Sequence, residues 1–321
     1  MPALQVLLAA NRRGETTLLV PPSHVTLARD LGARVVGRPA GAGWCWARES
    51  LDQVFDIALT ARHSVRAKLL LAAVQASCRL ASQGRGARWL GLMPFEVDRR
   101  RHQRHDLDEA LGRLGVGPVD DAPCSFPVCR SLRLAGQRAR CLLAGWERAA
   151  VLLPGASHQL AKCYPPERFG AVGVTLRAAG WCVVVAGGPG EEGLLGSVAA
   201  VCGAVVVPTA WGLDRLAGLL ACCQASVGND SGLTHLASVV GCPTVMLFGP
   251  TDPRRTGAVG GARVLRETGA GGLAKLCPEQ VAWAVQAVGG RQGLHVPRNV
   301  TMIRRGSGPL AQLAEQETLN L

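Results

Sequence analysis

The chain has 321 residues, of which 48% are hydrophobic, 18% charged and 4% aromatic, with a mean hydropathy of +0.18 and a net charge of +12. That content suits packed cores rather than a disordered chain, and at about 100–200 residues per domain the length suggests two domains. The longest uncharged apolar stretches, Leu69–Ala76 and Leu216–Val227, fall far below the roughly 18 residues of a spanning helix, and so few aromatics leave little for nucleic-acid bases to stack on.

Met1–Ala10 has no basic residue ahead of its apolar run, so a secretory signal is not expected. The twelve cysteines are scattered, apart from adjacent Cys222–Cys223, and form no CxxC pair. Reduced thiols in a cytoplasm are the economical reading. Neither cysteines nor histidines show metal-ligand spacing, and no metal site is expected.

Charge is uneven. Residues 1–150 carry 22 Lys and Arg against 13 Asp and Glu, a balance of +9; residues 151–321 carry 13 against 10, a balance of +3. A positive first half should attract an anionic partner, although an Arg-rich composition (32 Arg, 3 Lys) also reads as solvated surface.

Short apolar runs alternate with helical patterns, which predicts βαβ units around parallel sheets. In the first half the expected strands are Gln5–Ala9, Arg34–Val36 and Phe55–Leu59, and the expected helices Ser64–Ser82 and His105–Leu114. Cys124–Gly145 mixes Pro, Cys and Arg and reads as the passage between domains 1–149 and 150–300. In the second half, strands are expected at Val151–Leu153, Trp181–Ala186, Val205–Val207, Ala225–Val227 and Thr244–Phe248. Helices are expected from Pro165-Pro166 to Ala179, near Glu191–Val201, and at Gly212–Cys223, Gly232–Val240 and Pro278–Val288, the last ending at Gly289-Gly290. Residues 301–321 are polar and patternless and are expected to be disordered.

Open αβ sheets bind ligands at the carboxyl ends of strands, beside helix N-termini with free N–H groups. Four segments are expected at such places: Gly14–Thr17, Pro154–Lys162, Gly187–Glu192 and Gly228–His235. Gly188–Gly193 matches GxGxxG, the nicotinamide-dinucleotide fingerprint, but no acid ends the next strand and Pro189 removes an N–H. Asn229-Asp230-Ser231 are favoured helix N-caps, and His235 lies one turn beyond Ser231. Lys162 is one of only three lysines and follows the strand-ending Pro154, which suits an anion.

Together, Pro154-Gly155-Ala156-Ser157, Lys162, Pro165–Phe169, Gly187–Glu191, Gly228–Ala237 and Phe248–Pro253 resemble the family 9 glycosyltransferases, the ADP-heptose:lipopolysaccharide heptosyltransferases. Gly14-Glu15, Phe55-Asp56, Arg66 and His102–Leu107 resemble the family more faintly. The resemblance implies an α/β fold of the GT-B class, with two Rossmann-like doubly wound domains facing across a cleft, and inverting, metal-independent transfer without a cofactor. It implies that Lys162 touches the phosphates of the ADP-heptose donor, Glu191 the nucleoside side, and Asp230, Ser231, Gly232 and His235 the pyrophosphate and sugar. The first domain would take an anionic, lipid-linked lipopolysaccharide core at Arg66, with peripheral contact at the inner face of the cytoplasmic membrane. Glu15 stands where the family has a catalytic Asp, one methylene longer; Cys163-Tyr164 replaces the usual Arg-Trp. A transferase using another nucleotide-sugar, a catalytically drifted member and a nicotinamide oxidoreductase stay open as alternatives.

Overall fold

The computed structural model describes residues 14–29, 31–84, 86–119, 147–156 and 162–290, the isolated positions 5, 7–9, 11, 121, 126, 132, 134 and 136, and the backbone of 301–303. The chain forms two compact units, Met1–Ala122 and Pro123–Leu321. The division lies ahead of the expected 149/150 boundary. Described positions of the intervening segment pack on the second unit: the Phe126 N–H donates to the Val239 carbonyl (2.7 Å), and Gly136 abuts the Gly218 carbonyl.

In the first unit, β1 (Thr17–Val20) pairs in parallel with β2 (Arg34–Gly37). Helix α1 (Trp44–Ser50) follows, then β3 (Phe55–Thr60), α2 (Val65–Ala73), β4 (Ala76–Ser82) and β5 (Met93–Phe95). Strands β3, β4 and β5 make a three-stranded parallel sheet. Helix α3 (Asp108–Arg113) starts later than expected, after a 3-10 turn at Gln103–His105.

Two expectations are corrected here. The described residues of Gln5–Ala9 are helical, in keeping with Leu and Ala as helix formers, and the nearby strand is instead Thr17–Val20, two leucines between β-branched Thr17 and Val20. The expected helix Ser64–Ser82 is a helix and then a strand. Leu80 and Ala81 favour helix, but pairing of Ala76–Ala81 with Phe55–Thr60 overrides that preference.

The second unit is one parallel seven-stranded sheet in the order β12-β11-β10-β9-β6-β7-β8. Its chain order is β6 (Ala149–Leu153), α4 (Pro166–Ala178), β7 (Cys182–Val185), α5 (Glu192–Cys202), β8 (Val205–Val206), α6 (Leu213–Cys222), β9 (Ala225–Asn229), α7 (Gly232–Val239) and β10 (Thr244–Phe248). Then come β11 (Arg263–Arg266), α8 (Pro278–Gly289) and β12 (Thr301–Ile303). Every residue of β6, β7, β9 and β10 is buried, because helices cover both faces of a parallel sheet; that is why β6 and β7 read as unbroken apolar runs, while β9 buries Ser226 and Asn229 as well. The core joins Leu152, Val183 and Val227 to Phe169, Leu176 and Trp181.

Strand β11 was not expected, since Arg at both ends hides a two-residue apolar centre. Thr301–Ile303, expected in a disordered tail, extends beside β11; residues 304–321 lie outside the described residues. Among the described residues no helix is long and apolar enough to cross a membrane.

Candidate functional site

The second unit's chain runs from β6 outward to β7 and β8, then returns to β9 on the other side of β6. Where strand order reverses, the loops leaving β6 and β9 diverge and open a crevice at their carboxyl ends. Pro154, Gly187 and Asp230 each lie just past a strand end, at the expected places.

Asn229, fully buried, ties this crevice together. Its amide nitrogen donates to the Pro154 carbonyl (2.7 Å) and its amide oxygen accepts from the Tyr164 N–H (2.9 Å). Tyr164 in turn donates its hydroxyl to the Leu276 carbonyl (2.8 Å), and burial pushes that phenol up to about 12. Tyr164, two residues beyond Lys162, is thereby fixed beside the end of β9.

Asp230 sits between the Lys162 ammonium and the His235 ring. Its Oδ2 lies 3.4 Å from Lys162 Nζ and its Oδ1 3.4 Å from His235 Nε2, while the Thr256 hydroxyl donates to Oδ2 from 3.4 Å. Burial alone would raise the Asp230 pKa. The His235 hydrogen bond, the neighbouring Thr251 hydroxyl and the charge of Lys162 outweigh it and hold the carboxyl below its ordinary 3.8. Thr251 lies close enough to favour the carboxylate, yet its buried oxygen makes no hydrogen bond of full geometry. Asp252 accepts from the Arg254 N–H (3.0 Å), capping the helical turn Pro253–Thr256 that delivers the Thr256 hydroxyl.

Ser231 occupies the N-cap position of α7 in extended backbone, but its side chain does not cap the helix as expected. Its hydroxyl pairs with the Thr234 hydroxyl (3.1 Å). Among the described residues, no side chain caps the first turn of α7, so the N–H groups beginning at Gly232 face the crevice with the positive end of the helix dipole.

Glu191 closes the other side. Its Oε2 accepts from the Gly188 N–H (2.7 Å), and its carboxylate packs so tightly that a Cβ on Gly155 would lie 2.1 Å from Oε1. Gly155 and Gly187 therefore make the room this acid occupies. Glu192 Oε1 accepts from the Gly190 N–H (3.2 Å). With the Gly188 and Gly190 N–H groups both held by carboxylates, this GxGxxG loop is negatively charged where a dinucleotide's pyrophosphate would need donors, which counts against the nicotinamide reading.

A cavity of about 360 Å³ opens nearby, lined by Cys163, Pro250, Glu267, Thr268, Gly271 and Leu273. Burial and the Glu191 charge raise the Cys163 thiol pKa. Among the described residues no group of three or more His, Cys, Asp or Glu converges as a metal-ligand set.

In the first unit, Arg66 is exposed on the first turn of α2 and donates to the Ala42 carbonyl (3.2 Å). Glu15 is exposed in the segment leading into β1. That differs from the expected position at the carboxyl end of a strand, because the strand follows Gly14-Glu15 instead of preceding it.

The structure thus gathers Lys162, Asp230, Ser231, Gly232 and His235 at one strand end, with Glu191 on the flanking loop. Asn229, Thr251 and Thr256 join these residues beyond those the sequence points to, although the first two lie within motifs the sequence displays.

The sequence pattern of glycosyltransferase family 9 (heptosyltransferase) matches residues 45–268, more than half of the chain. The chain belongs to glycosyltransferase family 9. This family 9 protein is 32% identical over 148 residues to lipopolysaccharide heptosyltransferase 3 of Escherichia coli, covering 44% of this chain and 43% of that protein. It is 40% identical over 86 residues to lipopolysaccharide heptosyltransferase 1 of Pseudomonas aeruginosa, covering 26% and 24%. The matched segments span less than half the length of either curated relative. Among solved structures, E. coli ADP-heptose lps heptosyltransferase II superposes with a TM-score of 0.76 at 19% identity, over 90% of this chain and 93% of that one. E. coli heptosyltransferase WaaC with ADP gives 0.70 at 17%, over 89% and 95%. These likenesses show the fold of the family 9 protein: mixed α/β with Rossmann-like parallel sheets, the GT-B class.

Proposed function

We propose that the protein is an inverting, metal-independent transferase that moves a heptose from ADP-heptose to the anionic, lipid-linked saccharide core of lipopolysaccharide. The observation that carries this reading is the Lys162–Asp230–His235 cluster beside the uncapped N-terminus of α7, at the strand-order switch point. A fixed ammonium and a helix N-terminus supply positive potential to a departing diphosphate without a metal. Glu191 on the β7 side would accept from the nucleoside's ribose, and the cavity beside Cys163 offers room for the sugar.

In the reaction, the acceptor hydroxyl oxygen forms a bond to the anomeric carbon while the bond from that carbon to the phosphate oxygen breaks. The hydroxyl proton passes to Glu15 and ADP leaves with the electron pair, its charge met by Lys162 and the Gly232 N–H. Arg66 would hold an anionic group of the acceptor. The protein would work in the cytoplasm, at the inner face of the membrane that carries its acceptor. Incubation with ADP-heptose and truncated core lipid, followed by mass spectrometry, tests the reading: a product heavier by one heptose is expected, and its absence alongside measurable ADP binding would leave only a nucleotide-binding relative.

A further inference from the structure

Lys68 lies on α2 and is only 1% exposed, although it is one of three lysines in the chain. Its neighbours on the same helix, Leu70, Leu71, Ala72 and Ala73, are buried as a helix interior should be. Among the described residues no carboxylate pairs with its Nζ, and no hydrogen bond to that atom is present. An ammonium held almost wholly out of water with no protein partner is costly, and an anion reaching it through the remaining opening would offset that cost.

The backbone beside it is shaped for the ammonium. Gly84, just past the end of β4, has φ +136°, and a Cβ there would come within 3.1 Å of Lys68 Nζ. The Ser82 hydroxyl, also buried, donates to the Arg62 carbonyl (3.3 Å) and so pins the loop after β3 to the end of β4. Lys68 Nζ therefore lies at the carboxyl end of the first unit's parallel sheet, the edge at which open αβ sheets take ligands. Arg62 and Arg66, both exposed, add positive charge on the same loop and helix.

We propose that Lys68 is an anion-binding residue, whose ammonium takes a phosphate or carboxylate group of an acidic saccharide at the carboxyl ends of β3 and β4. The proposal rests on the reading of the protein as a transferase with an anionic acceptor, and gives that acceptor a second, buried cation beyond the exposed Arg66.

The test keeps the two ideas separable by saturating the full-length protein with ADP first. A thermal shift with ADP reports the donor site alone. Inorganic phosphate is then added against chloride of equal ionic strength. The wild type is expected to gain a further shift, and Lys68→Met to lose it while keeping the full ADP shift. Should Lys68→Met not fold, ammonium NMR of the lysine-labelled wild type replaces it. Only three Nζ signals exist, and Lys162→Gln and Lys275→Gln assign them by elimination. Phosphate, and then a deacylated core saccharide, should move the Lys68 signal. No phosphate shift beyond chloride, an undiminished shift in Lys68→Met, or an unmoved Lys68 signal would overturn the proposal. So would a Lys68 signal that answers phosphatidylglycerol vesicles but not the saccharide. Absence of the ADP shift would instead count against the donor site.

Discussion

The carboxylate of Asp230 lies 3.4 Å from the ammonium of Lys162, some half an ångström beyond the roughly 2.7–2.9 Å of a tight charge-assisted hydrogen bond. The lysine is thus oriented but not consumed: its remaining donors can turn to a phosphate without first breaking a strong pair. Asp230 meanwhile keeps its second oxygen on His235, so the helix end stays organised when Lys162 moves.

Lys162→Gln should therefore weaken ADP binding while leaving the fold intact, since the side chain is partly exposed and Asp230 retains His235. A hydrogen bond to a charged group contributes about 1.5–3 kcal/mol, or roughly a 10- to 100-fold rise in Kd. Calorimetric titration with ADP measures it, and an unchanged Kd would separate Lys162 from the phosphates.

Asp230 sets an acid limit. Its pKa in the folded protein is depressed, so its contribution to stability is complete above the ordinary value of 3.8 and is lost as pH falls through the lower, folded value. Denaturant melts of wild type and Asp230→Asn should differ by a constant amount near pH 5–6 and converge below about pH 4. A gap that widens on acidification would mean that burial, not the hydrogen bonds and Lys162, dominates this carboxyl.

Asn229→Ala removes one side chain that serves two backbone groups, the Pro154 carbonyl and the Tyr164 N–H. Each buried group left unsatisfied costs about 1–3 kcal/mol, so the melting temperature should fall by several degrees and ADP binding should weaken with it. Gly155→Ala acts more locally. Its Cβ would displace the Glu191 carboxylate, and calorimetry should show weaker ADP binding with little loss of stability.

These residues show what the sequence displays and what it hides. Buried parallel strands such as Thr244–Phe248 announce themselves because both faces are apolar, and strand-end motifs then locate Asp230 and Glu191. Strand β4 hides because Ala76–Ser82 has no β-branched residue, and only its pairing with β3 makes it a strand. Lys68 hides for a related reason. In an apolar helix a single lysine reads as the solvated face, and only the packing of Gly84 reveals that it points inward. Thr256 reaches Asp230 through a cap made by Asp252, a three-dimensional detour that spacing alone does not show.

Glu15 carries the heaviest chemical claim and the sharpest test. A general base contributes about 100- to 10,000-fold, and its loss is expressed in turnover, not in donor affinity. Glu15→Gln keeps the side chain's length and shape but cannot accept a proton. Because Glu15 is exposed, the substitution should leave the melting temperature unchanged. Turnover with ADP-heptose and core lipid should then drop at least 100-fold at an unaltered Kd for ADP. Glu15→Asp shortens the side chain by one methylene, and a displacement of about an ångström can alone change rates about 100-fold. If Glu15 is the base and its loop holds the carboxylate at working distance, Glu15→Asp should retain more activity than Glu15→Gln and less than the wild type. Wild-type turnover in Glu15→Gln would show that another group takes the proton.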